Sequence, residues 1–255
     1  MTASGRARTD EHAVVSFPDV GPPRLRLFCF PYAGGSSAAY KDWGGSLRGV
    51  RVCAVELPGR GRLFGQAPLR SLRAAVDYAA DAIETRIDMP FAVYGHSMGA
   101  VTALETAVEL ARRGARARCL VVSGSPAPHL PLRRTRHLHG LPGPELLAAL
   151  QELETLPELL LRKPDVLEAF LPTIRADMES RETWSSEVQD TGIPIAAFGG
   201  REDLHVSLDE LRAWSGYTTA AFTATQLEGG HFFIRSNEGA FLPMLQEALT
   251  RCLSL

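Results

Sequence analysis

The chain has 255 residues, of which 45% are hydrophobic and 22% are charged, values near the average for soluble globular proteins. This length suits a single α/β unit with a sizeable core. The formal net charge is −2 and the arginines are scattered, so electrostatics gives no reason to expect a nucleic-acid or anionic-membrane partner.

The N-terminal region, residues 1–22, is polar and is predicted to be a loose leader. It has no continuous apolar segment of the kind found in secretory signals, and no part of the chain approaches the ~20 apolar residues of a membrane span. The cysteines are Cys29, Cys53, Cys119 and Cys252, and the first three lie in strand-like runs. We interpret them as small buried hydrophobic residues in a reducing compartment and expect a cytoplasmic enzyme.

Apolar runs of strand length recur along the chain and alternate with helix-length segments. The runs are Arg24–Phe30, Arg51–Leu57, Phe91–Tyr94, Cys119–Ser123, Ile193–Phe198 and Ala221–Leu227. Between them, residues 69–87 and 98–112 place apolar side chains at helical spacing. Near-continuous apolar strands are typical of a parallel sheet buried on both faces. The pattern therefore predicts an α/β fold with helices on both faces of a mostly parallel sheet.

Residues 128–184 interrupt this alternation, because they contain helical patterns and no good strand candidate. The helical patterns are Pro144–Leu153, Pro157–Leu161, Asp165–Phe170 and Thr173–Ser185, and prolines at 142, 144, 157, 164 and 172 are expected to divide them into short helices. We predict a helical lid inserted between core segments 23–127 and 185–255. A structural cap without a gating role is the alternative.

The motif Gly95-x-Ser97-x-Gly99 lies between a predicted strand and a predicted helix, which is the nucleophile-elbow pattern. A strained turn there lifts the serine hydroxyl clear of the sheet, and the glycines let strand and helix approach closely. The following helix N-terminus supplies N–H groups where an oxyanion forms. Ser97 is therefore the predicted nucleophile of a serine hydrolase. His96, inside the motif, is interpreted as a structural or loop-shaping residue.

A serine hydroxyl needs a base and an orienting carboxylate to react at neutral pH. In this fold the acid and the histidine each follow a later strand. Asp203 follows the run that ends at Phe198, and His231 follows the last run. We therefore predict Asp203 as the acid, with its neighbour Glu202 as the alternative, and His231 as the base. His205 is the weaker candidate base, since no strand separates it from Asp203.

The loop after the first strand run, residues 30–37, is rich in glycine and is expected to supply the second oxyanion donor. It lacks the G-x-x-x-x-G-K-[ST] and G-x-G-x-x-G patterns of nucleotide-binding loops. The backbone N–H groups of Ala33 and Met98 are the candidate donors. No metal site is expected, because no cysteine or carboxylate has ligand spacing with the histidines at 129, 137 and 139.

Several motifs occur together and in a fixed order. They are FCFPYAGGSS, Tyr40 and Trp43, VELPGRG, YGHSMGA, FGGREDLHV and LEGGHFFI. In this combination the chain, from about residue 25 to its C-terminus, resembles the type II thioesterases of polyketide and nonribosomal peptide biosynthesis, which belong to the α/β-hydrolase superfamily.

The resemblance implies an α/β-hydrolase fold with Ser97 as nucleophile, Asp203 as acid and His231 as base. It also implies an oxyanion hole formed by Ala33 and Met98 and a lid formed by the helical insertion. The expected substrate is an acyl group on the phosphopantetheine arm of an acyl or peptidyl carrier protein, and no cofactor of the enzyme's own is expected. Such enzymes remove stalled or aberrant acyl groups and regenerate the carrier thiol.

The sequence departs from the family pattern at three positions. Glu56 stands where glutamine is common, Glu202 where aspartate often precedes the catalytic aspartate, and Leu204 where proline is frequent. Three alternative functions stay open at this point: a small-molecule carboxylesterase or lipase of the same fold, an acyl transferase that forms a lactone or lactam, and a catalytically silent binding module.

Overall fold

The central sheet carries the architecture. The structure, a computed structural model, describes residues 11–131, 136–152, 163–185 and 187–253. Its strands are β1 (Val14–Ser16), β2 (Val20–Phe30), β3 (Arg48–Val55), β4 (Phe91–His96), β5 (Leu120–Ser123), β6 (Ile195–Gly200) and β7 (Phe222–Leu227). They form one sheet in the order β1-β3-β2-β4-β5-β6-β7. Only the pair β1 and β3 is antiparallel among these neighbours, which confirms the mostly parallel sheet.

Helices cover both faces of the sheet. They are α1 (Leu72–Glu84), α2 (Met98–Arg112), α3 (Gly143–Glu152), α4 (Pro164–Glu182), α5 (Leu208–Arg212), α6 (Phe233–Ser236) and α7 (Glu238–Leu253). Successive strand residues point to opposite faces, so β2 contributes to two separate cores. Phe28 and Phe30 join the cluster that contains buried residues of α1 and α2. Leu27 and Cys29 join the cluster that contains buried residues of α7. The prediction of helices on both faces is confirmed.

The predicted loose leader, residues 1–22, differs from the structure in its second half. Strand β1 pairs with β3 at the sheet edge, with Val14 opposite Val55, and β2 begins at Val20 rather than near residue 24. The apolar side chains of Val14 and Val15 are buried there. A run this short is below the length at which a strand pattern can be recognised, and pairing with β3 supplies its stability. Residues 1–10 lie outside the described residues.

The predicted insertion contains α3 and α4, which share a small core of their own. Its buried members are Leu138, Leu141, Leu146, Leu150, Leu167, Ile174 and Met178. The prediction that Pro172 separates two helices is wrong, because α4 runs continuously from Pro164 to Glu182 with Pro172 inside it. A helix-interior proline removes one hydrogen bond, but buried residues on both sides of Pro172 pack into the same cluster and keep the helix whole. The predicted helix Pro157–Leu161 lies outside the described residues.

The four cysteines are all buried and none forms a disulfide, which agrees with their interpretation as small hydrophobic residues. Within the described part of the chain, no helix is both long enough and apolar enough to span a membrane.

Candidate active site

Ser97 occupies a strained turn between β4 and α2. Its backbone has φ +56° and ψ −122°. Among the described residues, Ser97 is the only non-glycine residue with a positive φ. Such a conformation costs about 1–3 kcal/mol and persists only where the surroundings enforce it. One enforcing contact is the hydrogen bond from the Ser97 N–H to the Ser123 carbonyl at the end of β5, at 2.8 Å. The predicted elbow is therefore present, and Ser97 lies at its tip.

The two elbow glycines are required by close backbone approach. A Cβ on Gly95 would lie 2.1 Å from the Gly99 carbonyl oxygen, and a Cβ on Gly99 would lie 2.2 Å from the Phe30 carbonyl oxygen. Real Cβ atoms do not come this close to backbone oxygen. The start of α2 therefore packs directly against the end of β2, and this contact brings the loop after β2 beside Ser97.

The three predicted triad side chains form one hydrogen-bonded chain. His231 Nε2 lies 3.1 Å from Ser97 Oγ, and His231 Nδ1 lies 2.9 Å from Asp203 Oδ2. The other carboxylate oxygen, Oδ1, accepts the His205 backbone N–H at 2.9 Å. Asp203 follows β6 and His231 follows β7, so parallel strands deliver both residues to the same edge of the sheet as Ser97. The relay order matches that of a serine hydrolase.

The alternative acid and base lie elsewhere. Glu202 is exposed, and its backbone N–H donates to the Gly229 carbonyl at 3.1 Å. The His205 ring meets the His231 ring edge-on, with centroids 5.5 Å apart, and it is the His205 backbone that binds the acid. The geometry thus favours Asp203 over Glu202 as the partner of His231, and His231 over His205 as the partner of Ser97.

The environment of Asp203 keeps it ionised. Burial of this carboxyl, whose side chain is 0% exposed, favours the neutral form and is the largest influence on its pKa. The hydrogen bonds from His231 and from the His205 N–H, together with the charges of both rings, outweigh burial and bring the pKa of Asp203 below its usual value of 3.8. An ionised Asp203 accepts a hydrogen bond from the Nδ1–H of His231, and this tautomer leaves Nε2 free to accept a hydrogen bond from the Ser97 hydroxyl.

His96 lies directly behind the relay. Its ring centroid is 5.1 Å from that of His231, and its Nδ1 lies 2.8 Å from Ser123 Oγ, which in turn is 2.5 Å from the Tyr94 hydroxyl. Burial, reinforced by the nearby charges of His231 and Arg235, holds the pKa of His96 well below its usual 6.5. A neutral imidazole therefore packs against the base, in keeping with the structural role interpreted from the sequence.

The candidate oxyanion donors lie on either side of the contact between β2 and α2. Ala33 is in the loop just after β2, and Met98 is the first residue of α2. The N–H of a first helical residue has no carbonyl partner inside its helix, so the Met98 N–H is available to a ligand. The close packing of Gly99 on Phe30 places the start of α2 against the end of β2, from which the loop with Ala33 continues. Their role as donors stays a prediction.

The sequence reasoning missed a buried ion pair beside this loop. Arg60, in the loop after β3, and Asp177, on α4, are 1% and 3% exposed and lie 2.7 Å apart. Asp177 follows Ile174 by three residues, so a carboxylate occurs on the buried face of a predicted helix. That anomaly and the presence of Arg60 in the VELPGRG motif are signals in the sequence, but neither reveals that the two residues are partners.

Glu56, one of the three departures from the family pattern, is fully buried beneath the same loop. Its carboxylate accepts the Ser37 N–H at 3.1 Å and the Ser37 hydroxyl at 2.5 Å. Glu56 therefore holds the loop in place, because both Ser37 donors bind its carboxylate oxygens.

The histidines near the lid edge are closer to a carboxylate than the sequence suggested. His137, His139 and Glu182 bring ligand-type atoms within 4.8 Å of one another. Glu182 is already engaged, because it accepts the N–H groups of Leu138 at 2.9 Å and His139 at 3.2 Å, and bonds His139 Nδ1 at 2.7 Å. These contacts make Glu182 an anchor for the chain segment before α3.

The family profile of the Thioesterase domain matches residues 25–249. The chain belongs to this thioesterase family. The gramicidin S biosynthesis protein GrsT of Aneurinibacillus migulanus is 34% identical over 214 residues, 83% of each chain. RedJ, a thioesterase of the prodiginine pathway in Streptomyces coelicolor, is 35% identical with a TM-score of 0.81, covering 91% of this chain and 88% of RedJ. The type II thioesterase BorB from the borrelidin cluster is 30% identical with a TM-score of 0.81, covering 94% and 97%.

These matches confirm the resemblance seen in the motifs and the α/β-hydrolase fold. The thioesterase is a hydrolase of thioesters, and its relay of hydroxyl, imidazole and carboxylate supplies the chemistry that such a reaction needs.

Proposed function

We propose that this chain is a stand-alone, editing type II thioesterase that releases acyl groups from the phosphopantetheine arm of acyl or peptidyl carrier proteins. The assembly lines it serves would make polyketides or nonribosomal peptides. The observation that carries the proposal is the relay of Ser97, His231 and Asp203 in a chain of this family. Support for the substrate comes from relatives such as BorB, described as a type II thioesterase of a biosynthetic cluster.

The first half-reaction acylates Ser97. His231 Nε2 takes the hydroxyl proton as Oγ bonds to the thioester carbonyl carbon, and the N–H groups of Ala33 and Met98 hold the resulting oxyanion. The C–S bond then breaks, and the thiol leaves with the proton from the imidazolium. Thiolates are good leaving groups, so acid assistance matters less here than for an amide.

The second half-reaction returns the enzyme to its starting state. Water gives a proton to His231 Nε2 and attacks the acyl-serine carbonyl, and the ester C–O bond breaks as Ser97 Oγ regains that proton. Asp203 fixes the imidazole tautomer and stabilises the imidazolium in both halves. The products are a free acid and a carrier thiol, and the cycle uses no cofactor of the enzyme's own.

The helical insertion, residues 128–184, would cover the acyl group as a lid between core segments 23–127 and 185–255. Its contacts support this, because the partly buried Ala33, in the loop after β2, packs against the apolar cluster formed by α3 and α4. The enzyme would act on the carrier proteins of biosynthetic assembly lines and would therefore work in the cytoplasm with these proteins.

The decisive experiment presents acyl-phosphopantetheinyl carrier protein to the wild type and to Ser97→Ala, with mass spectrometry of both proteins. The wild type should regenerate the carrier thiol and carry a transient acyl group on the peptide containing Ser97, and the variant should do neither. Turnover of the variant near the wild-type rate would refute the nucleophile. A higher kcat/KM on simple oxygen esters than on carrier thioesters would favour the esterase alternative, and a lactone or lactam product would favour acyl transfer.

A further inference from the structure

The buried ion pair between Arg60 and Asp177 has two points of contact. Arg60 Nη2 donates to Asp177 Oδ1 at 2.7 Å, and Nη1 donates to Oδ2 at 3.0 Å. This is the bidentate geometry in which both partners fix each other's orientation. Asp177 belongs to α4, in the proposed lid, and Arg60 belongs to the core loop after β3. The pair therefore ties the insertion to the core.

Both members of the pair also bind the loop that carries Ala33, residues 31–37, which we call the oxyanion loop. Asp177 Oδ2 accepts the Gly34 N–H at 2.7 Å. Arg60 Nη1 donates to the Gly35 carbonyl at 3.3 Å. Gly34 has φ +70°, and a Cβ there would lie 2.7 Å from Ile174 Cγ1 on α4. Helix α4 thus contacts the loop at Gly34, and Arg60 from the core binds the next residue, Gly35.

The contact at Gly34 constrains Ala33 through the planar peptide that joins them. The Gly34 N–H and the Ala33 carbonyl lie in one rigid plane. The Ala33 N–H lies in the preceding peptide plane, together with the Tyr32 carbonyl, and that carbonyl accepts the Gly35 N–H at 2.8 Å. Because Gly34 is bound to Asp177 and Gly35 to both Arg60 and Tyr32, the Ala33 N–H has little freedom to turn. A buried ion pair adds little stability relative to apolar packing, whereas removal of one partner leaves an uncompensated charge. Geometry, rather than stability, is then the benefit that the pair supplies.

We propose that Asp177 and Arg60 are positioning residues, which hold the oxyanion loop so that the Ala33 N–H faces the developing oxyanion. The proposal rests on the proposed function, since it assigns a purpose to the same site. On this proposal, α4 is the part of the lid that stays bound to the oxyanion loop. Any lid movement that lifts α4 off the loop would also dismantle the oxyanion hole.

The test measures steady-state hydrolysis of an acyl-phosphopantetheinyl carrier by wild type, Asp177→Asn and Arg60→Lys. Concentrations are normalised to the endpoint of labelling of Ser97 by a fluorophosphonate, so that misfolded enzyme is not counted. Asparagine keeps the size of Asp177 but sets an amide against Arg60 or Gly34, and lysine keeps the charge of Arg60 without its fork. Loss of one oxyanion donor costs about 100- to 1000-fold in kcat. We expect a displaced donor to cost about 10- to 100-fold, with KM changed less than about threefold.

A trifluoromethyl ketone supplies a second readout that a merely structural role would not move. Its adduct with Ser97 places an oxyanion in the hole, so its affinity should fall by the same factor as kcat/KM across the variants. The matched control is Glu179→Gln. Glu179 lies on α4 like Asp177, but its ion pair, at 2.7 Å, is with Arg70 and does not involve the oxyanion loop. This control should keep wild-type kcat and wild-type inhibitor affinity.

Two outcomes overturn the proposal. One is wild-type kcat per labelled site in both Asp177→Asn and Arg60→Lys, and the other is an equal loss in Glu179→Gln. If Asp177→Asn fails to fold, Arg60→Lys decides alone. Failure of the proposed function would look different, because the wild type itself would then not hydrolyse the carrier thioester, whether or not Ser97 is labelled.

Discussion

The buried imidazole of His96 should make the stability of this thioesterase fall as the pH is lowered from 7.5 to 5.0. The side chain is 0% exposed, and burial is the main reason why its pKa lies well below 6.5. The folded protein therefore binds a proton at His96 only at a lower pH than the unfolded chain does, and the unfolded chain binds one below about pH 6.5. Because the unfolded state then holds more protons, a lower pH favours unfolding.

The size of the effect follows from the proton count. One proton bound only by the unfolded state changes the free energy of unfolding by about 1.4 kcal/mol per pH unit. Over the roughly 1.5 units between 6.5 and 5.0 this amounts to at most about 2 kcal/mol. Asp203 acts in a lower window, because its pKa in the folded state is below 3.8. Its stabilisation is present above the unfolded-state value and is lost as the pH falls through the folded-state value.

The assay is urea unfolding followed by tryptophan fluorescence, for wild type and His96→Asn at both pH values. The variant loses unfolding free energy because the substitution leaves a cavity, and this loss does not depend on pH. It also lacks the His96 imidazole that titrates in the wild type. The difference in unfolding free energy between the two proteins should therefore be smaller at pH 5.0 than at pH 7.5, by up to about 2 kcal/mol. A gap of constant size would refute the reasoning. His12→Asn, at a side chain that is 45% exposed, is the surface control. If the difference in unfolding free energy between wild type and His12→Asn decreased by the same amount, burial of His96 would not be the cause.

Three further substitutions test the site and its supports. Asp203→Asn should lower kcat about 10⁴-fold in the carrier assay, because the wrong imidazole tautomer is favoured, and near-normal kcat would exclude Asp203 as the acid. Gly99→Ala, whose Cβ would lie 2.2 Å from the Phe30 oxygen, should lose about 3 kcal/mol of unfolding free energy in urea. Thr173→Val removes the 2.6 Å bond from Thr173 Oγ1 to the Gly59 carbonyl. It should cost about 1 kcal/mol in the same measurement and leave kcat intact, and a large loss of kcat would contradict this.

The sheet and the relay residues were predictable because their signals are local. Each strand run is apolar over a full strand length, and the elbow motif stands between one such run and a helix. The positions of Asp203 and His231 then follow from topology, since parallel strands present their carboxyl ends at one edge of the sheet. The sequence does not distinguish Asp203 from Glu202, because two adjacent carboxylates differ only in which one reaches His231 in the folded protein.

The remaining features depend on contacts between residues far apart in the chain. Strand β1 has three residues and gains its stability from β3. The continuity of α4 through Pro172 depends on packing in the lid core, which outweighs the local rule that proline ends a helix. Arg60 and Asp177 are separated by 117 residues, and no local pattern links them.

The oxyanion loop is held by buried carboxylates from two different parts of the fold. Glu56, at the end of β3, binds Ser37 from the core side, and Asp177 binds Gly34 from the lid helix. Donors fixed before the substrate arrives need no reorganisation during the reaction, which is the condition for strong electrostatic stabilisation. In the proposed mechanism, the insertion therefore contributes to the geometry of the oxyanion loop as well as to coverage of the acyl group. It follows that a chimaera with a transplanted lid needs an acidic residue at the position of Asp177, since Arg60 stays behind in the core.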